Sequence, residues 1–450
     1  MILLVAPSHL ASLSPGALDF ALGSYDSPLL PPLNMPLTDK SSFDSERIDP
    51  LDIIVLGGFP LEEATNHPAT QTVRALATQH RVLYIYDDLR GSTLRHLLFP
   101  RHRHSSAWST PRTAALSEVF TRMRTQQVTE RLWVAPIRGL TKLLPLSYPE
   151  PVRRMSASRL ADFIGRETER IGMQRPVLWF YWWFFPELVR IPHALTVYDT
   201  IDAHSTYDHN SRWPSVRQAT SVLEQRLLGA VDLAYALSPD LAAQLRSAHS
   251  QMTVQPPGID ADTVTMALAE LDRPEDVVSL PHPLIGYAGK IGNRIDWPLI
   301  SSLAESLPEW TFAFVGGDQP PEVASKHNLR FLPGRPYPEI MRAIREFDVG
   351  IIPWIDSPAT RGAYSYKALD YLAAGKQVVA TSLPFSDDLE EHHPGVVTAV
   401  RSSDAWPSAI AGALERSSHS ATAEACVAAA HSRTTLTRTE AIVADIRTHI

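Results

Sequence analysis

The feature that most constrains this chain is an alternation, repeated twice, of short apolar runs with stretches of helical spacing. That pattern fits a parallel sheet wrapped by helices, because a parallel strand needs a crossover before the next one. In the first half the apolar runs are Leu51–Leu56, Arg81–Tyr86, Arg131–Pro136, Val177–Phe185, Leu195–Tyr198 and Leu233–Leu237. Helical spacing marks Pro68–His80 and Val216–Val231, and Ser238-Pro239-Asp240 reads as a capped helix start. A second series then supplies Leu284–Ala288, Thr311–Val315, Leu329–Leu332, Val349–Ile352 and Gln377–Ala380. Trp297–Glu305, Pro338–Phe347 and Tyr366–Ala374 carry helical spacing between them.

Two consecutive doubly wound α/β domains are therefore expected, and ligands of such sheets bind beyond the carboxyl ends of the strands. The chain of 450 residues has room for them at about 150 residues per domain. Proline punctuation from Pro256 to Pro283 places a linker at 259–283. It divides an N-terminal domain (1–258) from a C-terminal one (284–425), with a helix at 426–450. Residues 1–50, rich in Pro, Ser and Leu, fit this plan least, although Met1–Ala6 reads as a first strand and not as a leader.

Composition narrows the function. A net charge of −8 gives no general footprint for nucleic acid, so an anionic ligand must be met by local groups. The single cysteine, Cys426, excludes an intramolecular disulfide and fits a cytoplasmic, reducing compartment. The aromatic run Val177–Phe185 is too short to span a membrane and reads as a buried strand. Asp87-Asp88 and Asp387-Asp388 read as solvated loop charges, with no metal site expected.

The chemistry concentrates in the second half. Gly289, Lys290 and Arg294 follow the run Leu284–Ala288, and Gly316 and Gly317 follow the next run. Glycines admit a close approach of backbone to an anion, and the cations supply charge for a pyrophosphate. Neither loop has Walker A or G-x-G-x-x-G spacing. After Val349–Ile352 come Arg361, Ser365, Tyr366, Lys367 and Asp370, at the start of a helix that Gly375 stops. A helix start offers N–H groups and a positive dipole end to phosphate, with a carboxylate one turn on for ribose hydroxyls. The same residues also fit a plain surface ion pair between Lys367 and Asp370.

The run Lys367–Thr381 resembles the helix and strand of group 1 (family 4-like) bacterial glycosyltransferases. The segments Ile285–Lys290, Trp310–Gly317, Pro333–Glu339 and Phe347–Pro353 are similar to the rest of their donor domain. Val197–Asp202, with Glu224, Asp232 and Ser238, resembles their acceptor half. The resemblance implies the GT-B fold, two Rossmann-like domains facing a central cleft, and transfer of a sugar from a UDP- or GDP-linked donor. It implies that Gly289, Lys290, Arg294, Arg361, Lys367 and Asp370 hold the donor, beside Gly317, Ser365 and Tyr366. Asp370 stands where the family usually has Glu, and Gly362 where a second Glu is usual.

On the other side of the cleft, Asp199, Asp202 and His204 follow a strand and are candidates for taking the proton of an acceptor hydroxyl. Capping and turn roles fit them as well. His67 is a candidate acceptor contact. Arg90, Arg95, Arg101 and Arg103 around Leu97-Leu98-Phe99, with Arg153-Arg154 further on, suit a peripheral anionic membrane or a lipid-linked acceptor as well as a solvated surface. The acceptor is expected to be a glycan, a lipid-linked molecule or a small molecule, with no cofactor besides the nucleotide sugar. Two rivals share the cleft: a nucleotide-sugar epimerase, and an inactive binding or assembly module.

Overall fold

The computed structural model describes residues 49–58, 60–61, 67–87, 123–137, 150–206, 214–269, 273–321 and 323–450. Met1–Ala6 and the basic cluster from Arg90 to Arg103 lie outside the described residues.

Two sheets form. The first has the order β3-β4-β2-β1-β5-β6-β7-β8. Its strands are β1 (Asp52–Leu56), β2 (Arg81–Asp87), β3 (Gln126–Thr129), β4 (Leu132–Ile137), β5 (Val177–Phe180), β6 (Leu195–Thr200), β7 (Leu233–Ala236) and β8 (Met252–Val254). Only β3 pairs antiparallel. The second sheet runs β11-β10-β9-β12-β13-β14. It is built from β9 (Leu284–Ala288), β10 (Thr311–Val315), β11 (Leu329–Leu332), β12 (Val349–Ile352), β13 (Val378–Thr381) and β14 (Val397–Val400), and all its pairings are parallel. Counted from its own first strand, this is the 3-2-1-4-5-6 order of a dinucleotide-type doubly wound sheet. Its switch point, where crossovers leave in opposite directions, lies between β9 and β12. The first sheet has the corresponding point between β1 and β5.

Central strands are buried on both faces, as helices on each side require: β5, β9, β10 and β12 are wholly buried. The run Val177–Phe185 departs from its expected single strand. Pairing with β1 and β6 stops at Phe180, and both Tyr181 and Trp182 donate backbone N–H groups to Leu56 O (2.8 and 3.1 Å). The remaining aromatics fold over the sheet edge, with Trp182, Phe184 and Phe185 in mutual ring contact. Residues 426–450 also differ from a lone helix. Cys426 lies inside the helix Ser420–His431, which packs on the second sheet's helices, while the helix Thr435–Arg447 crosses back and buries Ile442, Val443 and Ile446 against the first sheet. The crossing is tight, since Ile259 bridges Thr434 and a Cβ on Gly258 would lie 2.2 Å from the Thr434 carbonyl carbon. Among the described residues no helix is long and apolar enough to cross a membrane.

Candidate active site

The donor candidates gather at the second switch point. β9 is fixed to the helix Tyr366–Ala373 by the Ala288 N–H, which donates to the Tyr371 hydroxyl (2.8 Å). The chain then turns through Gly289 at φ +131°, where a Cβ would stand 2.2 Å from Lys367 Cε. A bare α-carbon is therefore what lets Lys367 cross the loop. Lys367 Nζ sits 5.6 Å from the ring centres of both Tyr287 and Trp354, and Arg294 Cζ lies 5.5 Å from the Trp354 ring. Aromatic faces orient such cations without neutralising them. Burial, then the neighbouring Arg294, holds the Lys290 ammonium below its usual range. Crowded cations of this kind favour an incoming anion.

The helix start completes the cradle. Ser365 is 1% exposed, makes no capping bond, and its Oγ has no hydrogen-bond partner. Its hydroxyl and the helix's first N–H groups therefore suit a phosphate oxygen. Tyr366 is turned to the seam between the sheets. Burial raises its hydroxyl pKa, and the charges of Arg438, Asp199 and Asp202 reach it.

Other donor candidates are placed differently than expected. Gly316 and Gly317 both donate their N–H groups to Leu332 O (3.0 and 3.1 Å), so Gly317 presents no amide to a ligand. Gly289 likewise donates to Val315 O (2.8 Å), which leaves it a steric role. Arg361 is held by Asp356 through two parallel bonds of 2.6 Å within its own loop. Asp370 is 7% exposed and accepts from the Tyr337 hydroxyl (2.6 Å); burial pushes its carboxyl up to about 6. It makes no surface ion pair. Asp387 and Asp388 are not solvated loop charges: they lie on the helix Pro384–His392, where Asp388 accepts from Tyr364 (2.9 Å) and pairs with Arg433.

The facing edge behaves otherwise. Asp199 lies inside β6, fully buried, paired with Arg438 through bonds of 2.7 and 2.9 Å and accepting from Tyr181 (2.8 Å). That geometry makes it an anchor for the last helix and removes it from the cleft. His67 caps the helix Pro68–Ala77, its Nδ1 accepting from the Ala69 N–H (3.2 Å), and burial lowers its imidazole to about 3. Arg153 is 3% exposed and pairs with Glu187, so it offers no charge to a membrane. His204 opens a short 3-10 turn with its ring 5.8 Å from that of Trp183. Asp202 reaches the other half, lying 3.6 Å from Arg294 Nη2.

Three contributors carried little signal in the sequence. Trp354 lies two residues after β12 with no charge or motif to mark it, yet both cations sit over its ring. Arg438 lies 239 positions from its partner. Glu224, named above only as part of the acceptor-half resemblance, is 1% exposed beneath the Tyr198 hydroxyl (2.8 Å), and burial raises its carboxyl to about 7.

Comparison with known proteins bears on the family and the fold. Residues 282–416 match the family described as Glycosyl transferases group 1. A stretch of 114 residues is 32% identical to the putative teichuronic acid biosynthesis glycosyltransferase TuaH of Bacillus subtilis (strain 168), covering 24% of this chain and 29% of that protein. The whole fold is similar to sucrose-phosphate synthase from Thermosynechococcus elongatus (TM-score 0.59, 14% identity, 88% of this chain and 98% of that one). It is similar too to a UDP-forming trehalose-phosphate synthase from Burkholderia vietnamiensis (TM-score 0.61, 12% identity, 89% and 97%). Residues 282–416 thus match a group 1 glycosyltransferase domain, and the chain holds them in a two-sheet fold of the GT-B type.

Proposed function

We propose that this chain transfers a sugar from a nucleoside-diphosphate sugar to a glycan or lipid-linked acceptor, without a metal ion in the chemistry. One observation carries the reading: Lys367, Arg294 and an uncapped helix start converge at the switch point of the group 1 domain. Transfer leaves a nucleoside diphosphate, whose charge grows as the bond to the sugar carbon breaks. Fixed cations and amide dipoles aimed at that charge stabilise the transition state. Lys367 and Arg294 neutralise the departing diphosphate, and the Ser365 hydroxyl and first-turn amides receive its oxygens. Uridine or guanosine is the base proposed, and UDP is consistent with the UDP-forming relative of similar fold. The acceptor class follows TuaH, a putative teichuronic acid biosynthesis glycosyltransferase. The enzyme works at the cytoplasmic side, where nucleotide sugars are made.

Thermal unfolding with UDP, GDP and ADP is the first test. One of them, at one hundred times its dissociation constant, stabilises the protein by about 2.7 kcal/mol. A panel of nucleotide sugars then separates the readings. Release of nucleoside diphosphate coupled to acceptor modification supports transfer; interconversion of the donor would make the protein an epimerase, and binding without turnover a module.

A further inference from the structure

Ser365 makes no capping bond, so the cap side chain does not fix the entry to the helix Tyr366–Ala373. The side chain that ties this entry down belongs to Tyr364, directly upstream. Tyr364 is buried, with its ring 5.9 Å from that of Phe385. Its hydroxyl donates to Asp388 (2.9 Å) and accepts from Arg433 Nη1 (3.0 Å), and Arg433 is itself paired with Asp388. Both the proton and a lone pair of the phenol are thus engaged by charged partners, which makes the bonds stronger than neutral ones. Arg433 also belongs to the place where the chain passes between the halves. Its carbonyl accepts from the Ile259 N–H (2.8 Å), and the Thr435 N–H donates to Ile259 O (2.9 Å). On the helix that follows, Arg438 is paired with Asp199 of β6. The donor helix start and the crossover are therefore joined through the Arg433 guanidinium.

We propose that Arg433 and Asp388 are positioning residues for the donor site: they hold the Tyr364 hydroxyl, and with it the helix start that meets the diphosphate. The inference rests on the donor reading above and adds that the phosphate grip is set by the crossover segment. Neither residue touches the donor in this role. The Ser365 hydroxyl and the first-turn N–H groups are directional donors, and a misplacement of about 1 Å can cost on the order of 10²-fold in rate. With no cap bond to restore it, an entry released by Tyr364 has that freedom.

The test compares the full chain with Tyr364→Phe, which keeps the ring packing and the Arg433–Asp388 pair and removes only the hydroxyl. Titration with the nucleoside diphosphate that binds the parent, and with its nucleoside, reads the two ends of the nucleotide separately. Affinity for the nucleoside diphosphate falls about 10-fold while affinity for the nucleoside is unchanged, and kcat/KM for the nucleotide sugar falls about 10- to 100-fold. Arg433→Met lowers the same quantities in the parent, but by less than about two-fold when added to Tyr364→Phe, since its effect passes through the hydroxyl. Urea unfolding checks that each variant is folded; if Arg433→Met is not, Asp388→Asn takes its place in the cycle. The proposal is overturned if Tyr364→Phe keeps the parent's diphosphate affinity, or if it weakens diphosphate and nucleoside alike, which is the mark of a general structural loss. It is also overturned if the effects of the two substitutions multiply. A parent protein that binds no nucleoside diphosphate instead removes the donor reading itself.

Discussion

The carboxyl edges of the two sheets use charge in opposite ways. On the second sheet, cations are held beside aromatic rings and next to one another. On the first, Asp199 is closed off by Arg438 and Glu224 by the Tyr198 hydroxyl, both in the interior. A buried pair is satisfied and rigid, whereas crowded like charges leave a field for a ligand to answer. The first edge thus serves as architecture, with the Asp202 carboxylate extended across the seam, and the second is the binding surface proposed above.

This contrast is broken most directly at Asp199. Asp199→Asn leaves Arg438 buried without its counter-charge, and the expected cost is about 3–5 kcal/mol of stability, read from denaturant unfolding. Replacing Asp199 and Arg438 together by Leu and Met recovers most of it, because no orphaned charge remains. If the single variant stays as stable as the parent and loses only turnover, Asp199 belongs to the chemistry after all.

Lys367→Ala should show the reverse signature. Its ammonium makes no buried ion pair, so the folded protein persists. kcat/KM for the donor drops about 10²- to 10³-fold, the loss expected when one preorganised group facing the leaving charge is removed. Equal losses of stability and activity would erase the distinction between the two edges.

The strands around the second switch point were legible because each is a short apolar run bounded by glycine, proline or polar residues. β9 to β12 fall on the expected positions, and β13 is displaced by one residue. The first half was harder to read for physical reasons. β6 continues through Thr200, so Asp199, expected in a loop, is inside the sheet, and nothing local announces a partner on the last helix. The aromatic run after Val177 reads as one strand because burial alone does not distinguish a strand from a loop folded over an edge. Within the site, the cations and the helix start could be read from their positions after strands. That the Gly317 amide is taken by Leu332, and that Asp370 turns to Tyr337, depends on packing that no local pattern encodes.

Glu224 sharpens the comparison through pH. Burial raises its carboxyl from 4.5 to about 7 in the folded chain, so between these values the folded state holds the extra proton. Stability contributed by this site therefore falls as pH rises through that window, by roughly 3 kcal/mol in all. Glu224→Gln keeps an acceptor for Tyr198 and removes that slope. Urea unfolding of parent and variant at pH 5 and pH 8 measures the difference, and parallel slopes would show that Glu224 is charged and compensated at neutral pH. Asp370, raised to about 6, adds a slope of the same sign to both proteins and cancels in the comparison.

The smallest effect concerns a donor-side cation already paired within its own loop. Arg361 is tied to Asp356 in an exposed loop pair with both side chains about half exposed. Such pairs are weak, so a diphosphate reaching this loop competes with Asp356 at little cost. If Arg361 joins the donor set on binding, Asp356→Ala releases it in advance, and nucleoside diphosphate affinity rises by about two- to five-fold, with a steeper dependence on salt. If Arg361 stays with its own loop, the affinity is unchanged in Asp356→Ala and in Arg361→Ala alike. Calorimetric titration of both variants at two salt concentrations distinguishes these outcomes. The second would confine the working cations of the donor edge to Lys290, Arg294 and Lys367, the three that lie around the turn after β9.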